Sequence, residues 1–237
     1  MSNTYFQFKQ FRIEQGSCAM KVTTDACILG AWAPILSHTK RVLDIGTGTG
    51  LLPLMLAQRN NGIIIDAIEL DEAAAYQAQE NIRSSAWKDR ISIMEGDVCN
   101  YSFQHKYDLI ISNPPFFNNS LQGDEAKKNM ARHTISLRYT DLLGAIETNL
   151  HDNGYIAILL PHAEYQLWKE LLKKSNWCEF GRLAIRHRPQ TEVKRIVGLF
   201  SKKQNTPVNK QELVIQDDNG SYTEAFTHLL GPYYLNL

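Results

Sequence analysis

Asp44-Ile45-Gly46-Thr47-Gly48-Thr49-Gly50 restricts the fold of this chain more than any other stretch. It ends Arg41–Ile45, a short β-rich run, and leads directly into Leu51–Gln58, which is apolar and helix-compatible. Pro53 is tolerated because it lies in the first turn, where no backbone N–H is needed. Glycines in such a link allow a tight turn and let a ligand approach the backbone.

The same alternation continues downstream. Ile63–Glu69 reads as a second strand, and Asp71 can cap the helix-forming stretch Glu72–Ser84. Ile91–Met94 and Tyr107–Ser112 read as the third and fourth strands. Thr140 or Asp141 is the expected cap of a helix to about Leu150, before a fifth strand, Tyr155–Leu160. A helix over Ala163–Lys174 follows, then Leu183–Arg188 and Val193–Ser201 as a hairpin at the sheet edge. A short strand at Glu212–Gln216 and a small helix at Thr223–Leu230 come last. Before the glycine loop, Asp25 is the expected cap of a helix in Ala26–Leu36. Strands that are apolar almost throughout, alternating with helices, indicate a parallel sheet covered on both faces. Its ligands belong beyond the carboxyl ends of the strands, where the strand order reverses.

A length of 237 residues suits one domain, and 43% hydrophobic with 21% charged residues excludes collagen, coiled coil and wholesale disorder. Lys+Arg and Asp+Glu are both 25, so net charge neither demands nor forbids a nucleic-acid partner. Cys18, Cys27, Cys99 and Cys178 have no zinc spacing and are expected as reduced thiols, with no metal bound. The first residues do not read as a secretory signal, and no apolar run approaches the ~18 residues of a bilayer span. The expected location is cytoplasmic, without membrane contact.

Four motifs end four successive strands. In the glycine loop the third glycine comes one residue earlier than in G-x-G-x-x-G, and Asp44 precedes the first, which argues against a pyrophosphate. S-adenosylmethionine suits such a loop better; the alternative is an ordinary glycine turn. Glu69 terminates the second strand, where a carboxylate can accept from both ribose hydroxyls, although Asp71 and Glu72 are close enough to share that role. Glu95-Gly96-Asp97-Val98 offers Asp97 to an adenine amino group, or is simply a turn. Asn113-Pro114-Pro115-Phe116 is chemically the most specific. Consecutive prolines fix φ and remove donors, so local carbonyls face outward. The Asn113 side-chain oxygen and the Pro114 carbonyl can take both hydrogens of a planar NH2 group. Favouring its pyramidal form stabilises the transition state over the ground state. Phe116 offers a face for the target base.

The set DIGTGTG, IELD, EGDV and NPPF resembles the Rossmann-like S-adenosylmethionine-dependent methyltransferases. Phe11-Arg12-Ile13, Cys18 through Asp25, Leu29-Gly30-Ala31-Trp32, Ala131-Arg132-His133 and Gly220-x-Tyr222-Thr223 narrow it. With these the chain is similar to the bacterial tRNA1(Val) (adenine(37)-N6)-methyltransferase family. The resemblance implies an α/β, Rossmann-like class I fold: a seven-stranded, mostly parallel sheet with an antiparallel edge hairpin and a small C-terminal extension. It implies one domain over 1–237: an extension at 1–40, a core at 41–203 and a C-terminal extension at 204–237. The implied activity is N6-methylation of adenosine 37 in a tRNA, with S-adenosylmethionine as donor. Lys21, Thr23, Asp44, Gly46, Thr47, Gly48, Gly50, Glu69, Asp97 and Asn113 would hold the cofactor, while Asn113, Pro114 and Phe116 would serve catalysis. The same motif chemistry serves guanine N2 or a glutamine amide, and a non-catalytic RNA-binding scaffold is the alternative outside enzymes.

Between Arg182 and Lys203 there are seven Lys/Arg against one acid, Glu192. From this run Arg186, Arg188, Lys194 and Arg195 are expected to meet tRNA phosphates. Lys127, Lys128 and Arg132, with His133 and Arg138 beside them, form a second basic group after NPPF. Residues 117–139, polar and poor in apolar side chains, are expected to form a flap over the substrate.

Overall fold

The computed structural model describes residues 4–115, 137–203 and 207–237. Phe116, Lys127, Lys128, Arg132 and most of the expected flap lie outside the described residues.

Ten strands and six α-helices are described. A two-stranded antiparallel unit, β1 (Tyr5–Gln7) and β2 (Arg12–Glu14), precedes α1 (Thr24–Trp32). Then come β3 (Arg41–Ile45), α2 (Leu51–Arg59), β4 (Ile64–Glu69), α3 (Glu72–Arg83), β5 (Ile91–Glu95) and β6 (Tyr107–Ser112). The chain continues through α4 (Tyr139–Asn149), β7 (Leu150–Pro161), α5 (His162–Lys173), β8 (Cys178–Arg186), β9 (Arg195–Ser201), β10 (Asn209–Val214) and α6 (Glu224–Leu230).

Eight strands form the main sheet in the order β10-β8-β9-β7-β6-β3-β4-β5, and β9 alone runs against the rest. The sheet has one strand more than the expected seven. The reason is that β10 pairs parallel with β8, Lys210 opposite Arg182 and Leu213 opposite Ile185, so the hairpin is covered rather than left at the edge. From β3 the chain winds outward through β4 and β5, then returns to β6 on the other side of β3. That reversal opens a cleft beyond the carboxyl ends of β3 and β6. Ile45 pairs with Ser112, and the Ser112 hydroxyl donates to the Ile45 carbonyl at 2.8 Å. Gly46 and Asn113, the next residues of the two strands, therefore flank the cleft.

One apolar cluster packs α1, α2 and α6 with Phe8 and Ile13 against one sheet face. A second gathers Leu142, Leu143 and Ile146 of α4 with Trp168 and Leu172 of α5 on the other. Leu54, Met55 and Leu56 are fully buried, each contributing on the order of 2 kcal/mol.

Local signals decide where helices begin. Thr23, extended at φ −119°, caps α1 by accepting from Ala26 N at 3.2 Å. Asp25, the expected cap, lies instead in the first turn and pairs with Arg195 at 3.5 Å. Asp71 caps α3 as expected, its Oδ1 accepting from Ala74 N at 2.8 Å. Helix α4 starts earlier than expected, with Arg138 at its N-cap and no side-chain cap; Asp141 sits in the first turn, held by Arg138 at 3.0 Å. A carboxylate is favoured there by the amino-terminal end of the helix dipole. The β1–β2 unit was not anticipated.

Candidate active site

The glycine loop keeps its shape through backbone conformations that side chains avoid. Gly46, Gly48 and Gly50 have φ of 73°, 55° and 79°. Gly46 N and Thr47 N donate to the Ile68 carbonyl at 2.9 and 3.2 Å, tying the loop to β4. A Cβ added at Gly46 or Gly48 would meet nothing within 4 Å, so open space lies beside the loop.

Glu69 ends β4 and grips that loop. Its Oε2 accepts from Gly48 N at 2.7 Å, and Oε1 accepts from Leu70 N and Asp71 N at 2.9 and 3.1 Å. An ionised carboxylate has about four acceptor sites, so one remains for a ligand hydroxyl. Asp97, after β5, accepts from Cys99 N at 3.0 Å and from the Asn100 amide at 2.7 Å, which aims the carboxylate.

Asp44 is fully buried, and among the described residues neither of its oxygens has a hydrogen-bond partner. Burial pushes its carboxyl up to about 7; Glu69 adds to the rise and the nearby Thr47 hydroxyl opposes it. The Thr47 hydroxyl beside Asp44 is likewise buried. So is the Asn113 Oδ1, whereas the Asn113 Nδ2 lies 4.0 Å from the Met20 sulfur.

Beside these groups lies a cavity of about 630 Å³, within the range of small-molecule sites, although Asp44, Thr47, Gly48, Gly50 and Asn113 are not among its lining residues. Gly46, Glu69, Asp97 and Pro114 line it directly. Its far wall, Leu137 to Asn149, comes from α4 and the residues before it, and Tyr101 closes one side. That wall was missed in the sequence because packing, not a motif, brings α4 over the cleft; the Arg138–Asp141 pair was the available signal. Lys21 and Thr23 do not line the cavity, and the Thr23 hydroxyl is used as a helix cap.

The basic candidates are distributed differently. Arg186 pairs with Glu212 at 3.1 Å and donates to the Thr191 carbonyl. Arg195 pairs with Asp25. Among the described residues Arg188 and Lys194 have no ion pair. All four lie at the ends of β8 and β9 that border the same carboxyl edge as Asn113, because Ile185 pairs with Arg195 and Arg195 with Pro161. Among the described residues no three side chains could hold a metal, and no helix is long and apolar enough to cross a membrane.

Carboxylates Glu69, Asp71, Asp97 and Asp141 face the cavity, with Arg138 as its one cation among the described lining residues. Such walls disfavour a pyrophosphate and favour a sulfonium. A doubly wound sheet with this preference at its switch point is a Rossmann-like class I methyltransferase. Residues 29–138 match the family model described as methyltransferase small domain. The crystal structure of a predicted O-methyltransferase from Agrobacterium tumefaciens superposes with a TM-score of 0.70 over 90% of this chain and all of that one, at 16% identity. Relatives in Dyadobacter fermentans and Aeromonas salmonicida are 41% and 42% identical, over 98% and 99% of both chains, and are named tRNA1(Val) (adenine(37)-N6)-methyltransferase. The chain belongs to the tRNA1(Val) (adenine(37)-N6)-methyltransferase family.

Proposed function

We propose that this chain transfers a methyl group from S-adenosylmethionine to N6 of adenosine 37 in tRNA1(Val). The observation that carries this reading is an acidic, nucleoside-sized cavity lined by Glu69, Asp97, Ser112 and Pro114, with the Asn113 Oδ1, between the last two in sequence, buried and without a hydrogen-bond partner among the described residues. A buried acceptor without a donor costs about 1–3 kcal/mol, and an incoming amino group relieves it.

The residues fit S-adenosylmethionine. Glycines leave the space beside the loop, and the lining carboxylates complement a cation. Glu69 would hold ribose, Asp97 the adenine edge, and Asp44, Gly46, Thr47, Gly48 and Gly50 the region beside the loop. Lys21 and Thr23, in the segment before α1, would act only from outside the cavity lining. When bound, the cofactor supplies an electrophilic methyl on a sulfonium. Asn113 Oδ1 and the Pro114 carbonyl accept the two amino hydrogens of the target adenine, localising the nitrogen lone pair toward the cavity. Phe116 stacks on that adenine. No strong base is needed, because the methylated amine is acidic before it loses its proton.

Arg188 and Lys194, with Arg186, Arg195, Lys127, Lys128 and Arg132, supply tRNA phosphate contacts. The reading takes 1–237 as one cytoplasmic domain. Three hydrogen bonds support the single domain: Asn81 donates to the Glu14 and Thr49 carbonyls at 2.8 and 2.9 Å, and Lys9 N donates to the Tyr233 carbonyl at 2.8 Å.

Incubating bulk tRNA with the protein and labelled cofactor, then analysing nucleosides by mass spectrometry, tests it. Labelled N6-methyladenosine is expected. Label in N2-methylguanosine instead, or in no tRNA nucleoside, overturns it.

A further inference from the structure

Gly220-x-Tyr222-Thr223 has one residue whose conformation alone does not explain it. Gly220, at φ 85°, makes a turn that Asp217 holds through Asn219 N and Ser221 N, both at 2.9 Å. Thr223 caps α6 through Phe226 N and donates to the Val214 carbonyl at 2.6 Å. Tyr222 stacks on Phe226 at 4.8 Å, yet remains 48% exposed. It borders a second cavity of about 400 Å³, with Asp25, His187, Lys194, Arg195 and Gln216.

This cavity shares the active-site edge. It lies where β8 and β10 end and β9 begins, two to four strand positions from β6. At ~4.8 Å per strand that is about 10 to 20 Å sideways from Asn113, a span a few nucleotides can bridge. Backbone donors there are committed to the sheet: Ile215 N to the Arg186 carbonyl at 3.0 Å, Gln216 N to that of His187 at 2.9 Å, Lys194 N to that of Ile185 at 3.2 Å. Recognition therefore falls to side chains. Gln216 presents an amide and Asp25 a carboxylate, the groups that read base edges, while Tyr222 offers a ring for stacking. Lys194 stands beside them, and the Arg188 guanidinium comes within 4.0 Å of where a Gly220 Cβ would stand.

We propose that this second cavity seats one nucleotide of the tRNA, a few positions from the methylated adenosine, and reads its base. Tyr222 stacks on the base, Gln216 and Asp25 bond its edge, and Lys194 and Arg188 hold its phosphate. The inference rests on the tRNA reading above.

Whole tRNA transcripts with single-base replacements on either side of the target adenosine test it, with methyl transfer measured as kcat/KM. The wild-type chain is expected to lose at least tenfold at one such position. Gln216→Ala and Tyr222→Ala should bring that discrimination within twofold of none, Tyr222→Phe should keep it, and cofactor Kd should not move. A purely structural Tyr222 would change the melting temperature but not the base preference. Wild-type discrimination retained in both alanine variants overturns the proposal and leaves the tRNA reading standing. A wild-type chain that binds cofactor but methylates no tRNA removes both.

Discussion

Two regions of one sheet edge face substrates of opposite character. Beyond β3 and β6, four carboxylates and one guanidinium line the larger cavity among the described residues. Beyond β8, β9 and β10, Lys194, Arg195 and His187 line the smaller one, with Asp25 as its single acid among the described lining residues. A formal net charge of zero conceals this division. Whole-chain charge therefore says little about partners, whereas its placement on the topology says much. The acidic end suits a small cation, and the basic end suits a polyanion that must be held while one base is turned toward the other cavity.

The largest effect that should separate the two regions is on chemistry alone. Asn113→Ala is expected to lower kcat by about 100- to 1,000-fold, with tRNA affinity and cofactor Kd nearly unchanged. Wild-type-like single turnover would remove Asn113 from the mechanism.

Next is the pH response of the acidic end. Burial raises Asp44 to about 7, so below that pH the folded chain keeps a proton that the unfolded chain has lost above ~4. The stability contributed by Asp44 therefore declines as pH rises from about 4 to 7, then levels. Ionised Asp44 holds a cation better, so cofactor affinity should rise with pH toward 7, by at most about tenfold per unit. Asp44→Asn should flatten both trends, as calorimetric titration across pH 5–8.5 would reveal. An unchanged slope would assign it to another group.

At the basic end, Arg188→Glu combined with Lys194→Glu is expected to weaken tRNA binding about tenfold and reduce the salt slope by about one per lost phosphate contact. Cofactor affinity should be unaffected; parallel loss of both affinities would dissolve the division between the two regions. The smallest effect concerns the half-exposed Arg186–Glu212 pair. Glu212→Gln should cost less than about 1 kcal/mol of stability, a shift of a few degrees at most in a thermal melt.

How much of this was readable beforehand depends on how local the instruction is. Tyr107–Ser112 stands where the sequence placed it, because an unbroken apolar run followed by Asn-Pro-Pro admits few alternatives. Asp71 announced α3 through the same local chemistry that holds it. Strands of three residues such as β1 and β2 show too little alternation to read, and the parallel pairing of β10 with β8 depends on a partner 28 residues earlier. For the site, Gly46, Glu69 and Asp97, which line the cavity, were legible because each ends or follows a strand. Arg138, Asp141 and Tyr101 reach the cavity through packing, which the i,i+3 spacing of Arg138 and Asp141 alone does not announce. Asp25 was misassigned as a cap because a carboxylate just before an apolar run serves equally as cap or ion-pair partner.

The grip of Glu69 on Gly48 has a kinetic corollary. The seat for the nucleoside is set before anything arrives, so capture should require no loop ordering, and methyl-donor exchange between turnovers should be quicker than release of the bulky nucleic acid.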